Sequence, residues 1–325
     1  FQNRALFKGS HGIAVLDQKE FSPERGREVL EKRVANGPQI SVVVRTCSRP
    51  QVLRGALQSL ANQTYPNYEV VVVEDGLPVS QGMVEAEFAH LPLRYVANGK
   101  NLGRGKAGNR GLALATGDYL SFLDDDDYLY PDHLELMAQK AMQYPEADLI
   151  LGCAMVMKIQ LKSKDPYQYS MKELYPMRFD RLDIFTMCQT CQIPIQSAVF
   201  KRALYEECGG LREDIEGNED WAMWMRFLAK GKRIDPKHID IHRATSIFLL
   251  PAGDAGAKAR NDKYKVYNQA FFEDETIKFE VTLADMRGYF DDMVGDCRHL
   301  EQIGETRAYL ERQAARDADA SRDGK

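Results

Sequence analysis

The sequence predicts a wound α/β sheet, and three observations carry that prediction. Short β-branched runs recur, at Ile40-Ser-Val-Val-Val44 and Val70-Val-Val-Val73, of the kind buried on both faces of a parallel sheet. Stretches with a helical apolar face stand between such runs. The strands end in polar or acidic residues, and open α/β sheets hold their ligands at the carboxyl ends of their strands.

Each element follows in order. Residues 1–38 are polar and irregular, an N-terminal extension with a charged helical stretch from Pro23 to Val34. The first strand is Ile40–Val44. Pro50 sits at a helix start, with Leu53, Leu57 and Leu60 on one face. Tyr65-Pro-Asn67 ends that helix. Val70–Val73 is the second strand, closed by Glu74-Asp75-Gly76, and Leu93–Val96 is the third. The segment Asn101–Asn109 is rich in glycine, and a helix carrying Leu112 and Leu114 runs on from it, with Gly117 suited to its stop. Tyr119–Leu123 is a fourth strand that runs straight into Asp124-Asp125-Asp126-Asp127, and Pro131 and Asp132 open a helix to about Gln143. Beyond it, Leu149–Met157 and Ile193–Phe200 read as strands. Glu219–Leu228 reads as a helix with Trp221, Trp224, Met225 and Leu228 on its buried face. The expected division is an extension over 1–38, one domain over 39–250, and a charged helical region over 251–325 with a disordered tail.

Composition bounds the function. The 325 residues are 44% hydrophobic and 28% charged, enough for a sizeable core without staples. The net charge of −5 argues against broad nucleic-acid binding, which needs a clustered basic surface. Six scattered cysteines suit reduced thiols in a cytoplasmic protein. Cys188-x-x-Cys191 has no second pair nearby, so buried thiols are preferred to a zinc site. No apolar run is long enough to span a bilayer and no signal peptide is visible; the chain starts at Phe1, as a piece of a larger protein would.

The four adjacent aspartates are the sharpest chemical signal. They would repel one another unless a cation or partner neutralised them. Alternation along an extended segment points Asp124 and Asp126 one way and Asp125 and Asp127 the other. Their hard oxygens suit Mn²⁺ or Mg²⁺. A solvated acidic turn is the plainer reading, and Asp127 or Asp132 could be a helix cap. Asp125 is a further donor contact on this pattern. A carboxylate at Glu74-Asp75 could accept hydrogen bonds from a base or a ribose. Arg45-Thr-Cys-Ser-Arg49 offers hydroxyl and guanidinium groups. Gly103, Gly105 and Gly108 with Arg104 and Lys106 could cradle a phosphate, although the segment fits neither the P-loop nor the dinucleotide fingerprint. Glu219-Asp220 opens a helix, where acidic residues are also favoured by the dipole. His238 and His242 are more often structural than ligands.

Taken in order, Ser41–Pro50, Leu57–Pro66, Val71–Gly76, Asn101–Gly103 leading to Asn109–Gly111, Gly117–Asp124, Ile195–Ser197, Gly209–Leu211 and Glu219–Trp221 resemble glycosyltransferase family 2, inverting enzymes of GT-A fold. The resemblance covers residues 39–250. It implies a wound mixed sheet flanked by helices and transfer of a sugar from a nucleotide-diphosphate donor, UDP first among them, to a saccharide or other hydroxyl acceptor. Surface polysaccharide or glycoconjugate synthesis is the implied setting. By position it implies Asp75, Thr46 and Arg49 as nucleotide contacts, with Arg104 and Lys106 toward the diphosphate. Asp126 is implied as the main metal ligand, Asp124 as its neighbour nearer the ribose, and His242 as a late contact to metal or diphosphate. Asp220 is implied as the catalytic base, with Glu219 and Trp221 on the acceptor side. Two positions depart from the family pattern. Glu74 stands where Asp is usual, and Gly108 where Arg is usual, so Arg104, Lys106 or Arg110 is expected to supply that charge. The charged C-terminal helices suit a homo-oligomer or the inner face of a membrane, and equally a solvated extension. A sugar-phosphate nucleotidyltransferase and a non-catalytic carbohydrate-binding or scaffold module are the alternatives.

Overall fold

The structure is a computed structural model. It describes residues 37–164, 166–177, 187–188, 191–230 and 239–251, with 239–243 described by their backbone alone. The Pro23–Val34 stretch, the C-terminal helical region, His238, Cys297 and the side chain of His242 lie outside the described residues.

Among the described residues, nine strands form one mixed sheet. Strand β1 (Ile40–Thr46) is buried along its whole length. Helix α1 (Pro50–Ala61) follows, with Pro50 at its start and Leu53, Ala56, Leu57 and Leu60 turned inward. Each fully buried leucine contributes about 1.5–3 kcal/mol relative to exposure, which fixes the helix on the sheet. Then come β2 (Tyr68–Glu74), α2 (Gln81–Glu87), β3 (Leu93–Ala97), α3 (Arg104–Leu114) and β4 (Tyr119–Asp124). Strands β3, β2, β1 and β4 lie side by side in that order, all parallel. Their hydrophobic runs are continuous because both faces are covered.

The second half is mixed. Strand β5 (Tyr128–Leu129) is followed by α4 (His133–Gln143), the long β6 (Leu149–Lys164) and β7 (Tyr167–Pro176). Strand β8 (Ala198–Lys201) runs antiparallel between β4 and β6, then come α5 (Arg202–Cys208), α6 (Glu219–Ala229) and β9 (Ile239–Pro251). Among the described residues no helix is long and apolar enough to cross a membrane.

Two expectations need correction. The helix expected to run on from Asn109 starts earlier: residues 104–109 are the first half of α3. Its glycines serve close packing. A Cβ at Gly105 would meet the carbonyl oxygen of Arg212 at 2.2 Å, and one at Gly111 would meet Val43 Cγ1 at 2.2 Å. The helix therefore lies against β1 and the 211–213 segment at a distance no side chain permits. The second correction concerns 193–200. A 3₁₀ turn over Ile195–Ser197 replaces the first half of the expected strand, and Ser197 closes it by donating to the Pro194 carbonyl at 2.8 Å.

Register places the chemistry. Arg45 pairs with Asp124, and Thr46 with Glu74, so the carboxyl ends of β1, β2 and β4 share one edge of the sheet.

Candidate functional site

Alternation divides the aspartate run as its extended start requires. Asp125 and Asp127 are buried, whereas the Asp124 and Asp126 side chains retain 16% and 31% exposure. Asp127 accepts a hydrogen bond from the Leu249 N–H at 2.9 Å, and β5 then pairs with β9. Burial, with Asp126 and Asp124 close by, pushes its carboxyl well up. It serves to turn the chain.

Asp125 accepts from Thr46 Oγ1 at 2.7 Å and from Arg49 Nε at 3.0 Å. Its second oxygen also takes Arg49 Nη2. Burial pushes its carboxyl up to about 7 despite that guanidinium. Arg49 reaches on to Asp126 Oδ2 at 3.3 Å. Thr46, Arg49, Asp125 and Asp126 are thus brought together.

Asp124 faces elsewhere. Arg45 grips it through Nε at 2.7 Å and Nη2 at 2.9 Å, and Arg104 Nη2 adds a bond at 3.0 Å. Both arginines also reach Glu219 Oε1, at 2.8 Å from Arg45 Nη1 and 3.0 Å from Arg104 Nε. They hold the Asp124 carboxyl below the usual range against the cost of its burial. The geometry therefore leaves Asp126, rather than Asp124, as the open carboxylate of the run. Among the described residues no three His, Cys, Asp or Glu side chains converge as a closed metal cage.

Asp220 follows Glu219 in the first turn of α6. Asn218, left-handed at φ 59°, turns the chain into that helix. Burial and the adjacent Glu219 charge push the Asp220 carboxyl up to about 6, while Arg104 and Arg45 hold it down. The helix end is thereby tied to the aspartate edge across a sequence separation of 174 residues. Cys191 stands close enough that burial, then the Asp220 charge, pushes its thiol well up. The cysteine is half-buried, and its Sγ lies 3.5 Å from the Ile193 carbonyl oxygen.

Three sequence-predicted residues sit differently from expectation. Glu219 is 1% exposed and turned onto the two arginines, and Trp221 is 3% exposed with its Nε1 donating to the Met187 carbonyl at 2.7 Å. Neither presents an open acceptor face. Lys106 lines a separate open groove with Asn109, Arg110, Tyr205 and Glu206. Arg110 donates to the Ala97 carbonyl and to Asn98 Oδ1. Of the three cations expected near the diphosphate, Arg104 alone is on the aspartates.

Asp75 is buried and anchors the loop after β3. It accepts from Asn98 Nδ2 at 2.9 Å, Leu102 N at 2.8 Å and Gly103 N at 2.9 Å. Gly103 takes a left-handed φ of 97° to make that bond. Fully buried Glu74 accepts from Ser48 N, Ser80 N and Ser80 Oγ at 2.9–3.1 Å, and from the Tyr95 hydroxyl. These carboxylates fix the loops that follow β1, β2 and β3.

Sequence reasoning passed over two features. Arg45 was grouped with a polar strand end, and only the β1–β4 register identifies its partner. The β6–β7 hairpin was unexpected beyond residue 157. It brings Tyr167 and Tyr169 edge to face at 5.8 Å. The Tyr167 N–H donates to Gln51 Oε1, and burial, then the charge of Asp126, raises the Tyr167 phenol. Tyr167 therefore stands near the open aspartate, with Tyr169 packed against it.

Known proteins share the family and the fold. The model of the Glycosyl transferase family 2 family matches residues 41–208. The uncharacterized glycosyltransferase YwdF of Bacillus subtilis is 29% identical over 197 residues, 60% of this chain and 70% of that one. Glycosyltransferase GlyA of Streptococcus pneumoniae is 35% identical over 116 residues, 35% of this chain but 16% of its own length. S. aureus TarS 1-349 in complex with UDP-GlcNAc superposes with a TM-score of 0.55 at 20% identity, covering 76% of this chain and 68% of that one. The mannosyltransferase PcManGT from Pyrobaculum calidifontis, in complex with GDP-Man and Mn²⁺, gives 0.52 at 20% identity over 80% and 72%. At that identity the structures show the fold, the GT-A type. The family match spans more than half of the sequence, and the chain belongs to glycosyltransferase family 2.

Proposed function

We propose that this protein transfers a sugar from a UDP-sugar to a hydroxyl of a saccharide or glycoconjugate, with inversion and with a divalent cation. The observation that carries the reading is the tie between Asp124 and Glu219, the neighbour of Asp220, made by Arg45 and Arg104.

Asp220 is the base. A carboxyl pushed up to about 6 is a stronger proton acceptor than an ordinary aspartate, and it is still ionised at neutral pH. It takes the proton of the acceptor hydroxyl as that oxygen attacks the anomeric carbon from the face opposite the leaving diphosphate. One displacement inverts the configuration. Arg104, with 44% of its side chain exposed, is placed to meet the diphosphate. Thr46, Arg49 and Asp125 hold the nucleotide side, and the loop fixed by Asp75 forms its rim. Tyr167, with Tyr169 packed against it, gives the acceptor side a flat aromatic surface near Asp126.

The residues fit a hard cation. Asp126 keeps a partly exposed carboxylate, and among the described residues its Oδ2 takes a hydrogen bond from the half-exposed Arg49 at 3.3 Å. Mg²⁺ and Mn²⁺ are commonly held by one or two carboxylates, with substrate phosphates and water completing the shell. A bound cation would neutralise charge on the leaving diphosphate. Mn²⁺ is supported by the Mn²⁺-bound mannosyltransferase of the same fold, and UDP by the UDP-GlcNAc complex of TarS. The six cysteines, scattered through the sequence rather than arranged as a compact framework, suit a cytoplasmic reaction.

The test is a thermal-shift screen of UDP-glucose, UDP-N-acetylglucosamine and GDP-mannose with Mn²⁺, followed by product analysis. Release of nucleoside diphosphate supports transfer. Release of pyrophosphate would instead mean nucleotidyl transfer, and stabilisation without turnover a binding module.

A further inference from the structure

The feature of this site that family membership does not explain is the buried guanidinium of Arg45. We propose that Arg45 is a positioning residue: let in by Gly108, it straps Asp124 on the donor side to Glu219, the neighbour of Asp220. The inference rests on the donor-side and base roles given above.

The geometry is specific. Arg45 is 5% exposed at the end of β1. Its three nitrogens are divided between two carboxylates, Nε and Nη2 on Asp124 and Nη1 on Glu219. Its guanidinium carbon lies 5.5 Å from the centroid of the Phe122 ring, which supports its flat face. Space for the side chain comes from α3. A Cβ at Gly108 would stand 3.3 Å from Arg45 Cδ, 3.3 Å from Phe122 Cε1 and 2.3 Å from Leu211 Cδ1. Any side chain at 108 would contest the path that Arg45 takes to Glu219. The positive charge expected from position 108 on the helix is delivered instead from the strand beneath it.

Stability alone is a poor reason for this arrangement. Buried ion clusters seldom stabilise more than apolar residues of equal size. This one also leaves Glu219 Oε2 buried without a hydrogen-bond partner, an expense that a purely structural contact would shed. What the cluster does provide is fixed distance. Asp124 ends β4, Glu219 opens α6, and those elements are far apart in sequence. Arg104 duplicates the bridge from the solvent side, but its side chain is 44% exposed and is the one placed to turn toward the diphosphate. Arg45 is the fixed member. With it in place, the start of α6 stays in register with the donor site when Arg104 moves.

The experiment compares Arg45→Lys, Glu219→Gln and the double variant. Binding is read as Kd for UDP with Mn²⁺. Turnover is read as nucleoside diphosphate release from whichever of the three nucleotide sugars the wild type consumes, with water as acceptor. Lysine keeps the charge but cannot hold two carboxylates in a planar fork. Misplacing the base by about 1 Å costs about 10²-fold, so Arg45→Lys should lose about that factor in kcat while its Kd for UDP with Mn²⁺ changes about threefold at most. Because both residues act through one strut, the double variant should lose no more than the worse single variant within about threefold. Wild-type kcat in a folded Arg45→Lys protein overturns the inference, as does multiplication of the two single effects. If Arg45→Lys does not fold, Glu219→Gln decides alone: a fall in kcat of about tenfold or more at unchanged Kd supports the strut, and wild-type kcat overturns it. A wild type that neither binds UDP with Mn²⁺ nor releases a diphosphate overturns the functional reading itself, a different result from a wild type that works and a variant that works as well.

Discussion

Lowering the pH should switch this enzyme off earlier than an ordinary aspartate base would allow. Asp220 is pushed up to about 6 by burial and by Glu219. A base with that value is about 91% ionised at pH 7 and about 9% ionised at pH 5, so kcat should fall about tenfold over those two units. An aspartate at the unperturbed value of about 3.9 would lose less than a tenth of its rate over the same range. The sign follows from the role, because the base works deprotonated and protonation removes it. The assay is kcat at saturating donor, measured from pH 5 to 8. Saturation matters because Asp125, pushed up to about 7, lies on the donor side and would otherwise enter the profile through binding. Glu219→Gln gives an internal check. Removing the like charge beside Asp220 should move the acid limb to lower pH. A kcat that stays flat between pH 7 and 5, or an acid limb that Glu219→Gln moves upward, would refute the assignment.

Three further outcomes follow from individual contacts. Asp126→Ala removes the open carboxylate, so the stabilisation by UDP with Mn²⁺, about 2.7 kcal/mol at a ligand concentration of 100 times Kd, should largely vanish from a thermal-shift curve, while the unliganded melting temperature stays close to wild type. Gly111→Ala puts a methyl 2.2 Å from Val43 Cγ1 and should cost about 1–3 kcal/mol in urea denaturation by overpacking α3 on β1. Glu74→Gln turns a carboxylate surrounded by donors from Ser48, Ser80 and Tyr95 into a group with one acceptor oxygen. It should cost about 1–3 kcal/mol by the same measurement and weaken UDP binding by loosening the loops that follow β1 and β2.

The parallel half of the sheet was legible in the sequence because its strands are buried on both faces. Ile40–Val44, Val70–Val73 and Tyr119–Leu123 carry their own evidence in consecutive apolar residues. The long hairpin was not legible past residue 157, because β6 leaves the core there and its exposed half alternates with lysines and polar residues. The early start of helix α3 is hidden in the sequence for a physical reason. Gly103, Gly105, Gly108 and Gly111 look like loop residues by propensity, yet all but the first are held in a helix by tight packing on β1 and the 211–213 segment. The site was partly legible in the same way. The alternation of the aspartates followed from the strand that precedes them. The arginine cluster did not, since Arg45 and Glu219 meet only through the tertiary fold. A strongly charged side chain at the end of an otherwise apolar strand was the one available signal, and its partner could be named only after Arg45 was found opposite Asp124.

The measurement that bears most directly on the account is Asp220→Asn, assayed for binding and turnover in one preparation. The amide keeps the shape of the side chain and removes the proton acceptor. UDP with Mn²⁺ should bind as it does to the wild type, while transfer falls by about 10²–10⁴-fold, the usual worth of a positioned base. Transfer at the wild-type rate in a variant that binds UDP normally would contradict the central claim.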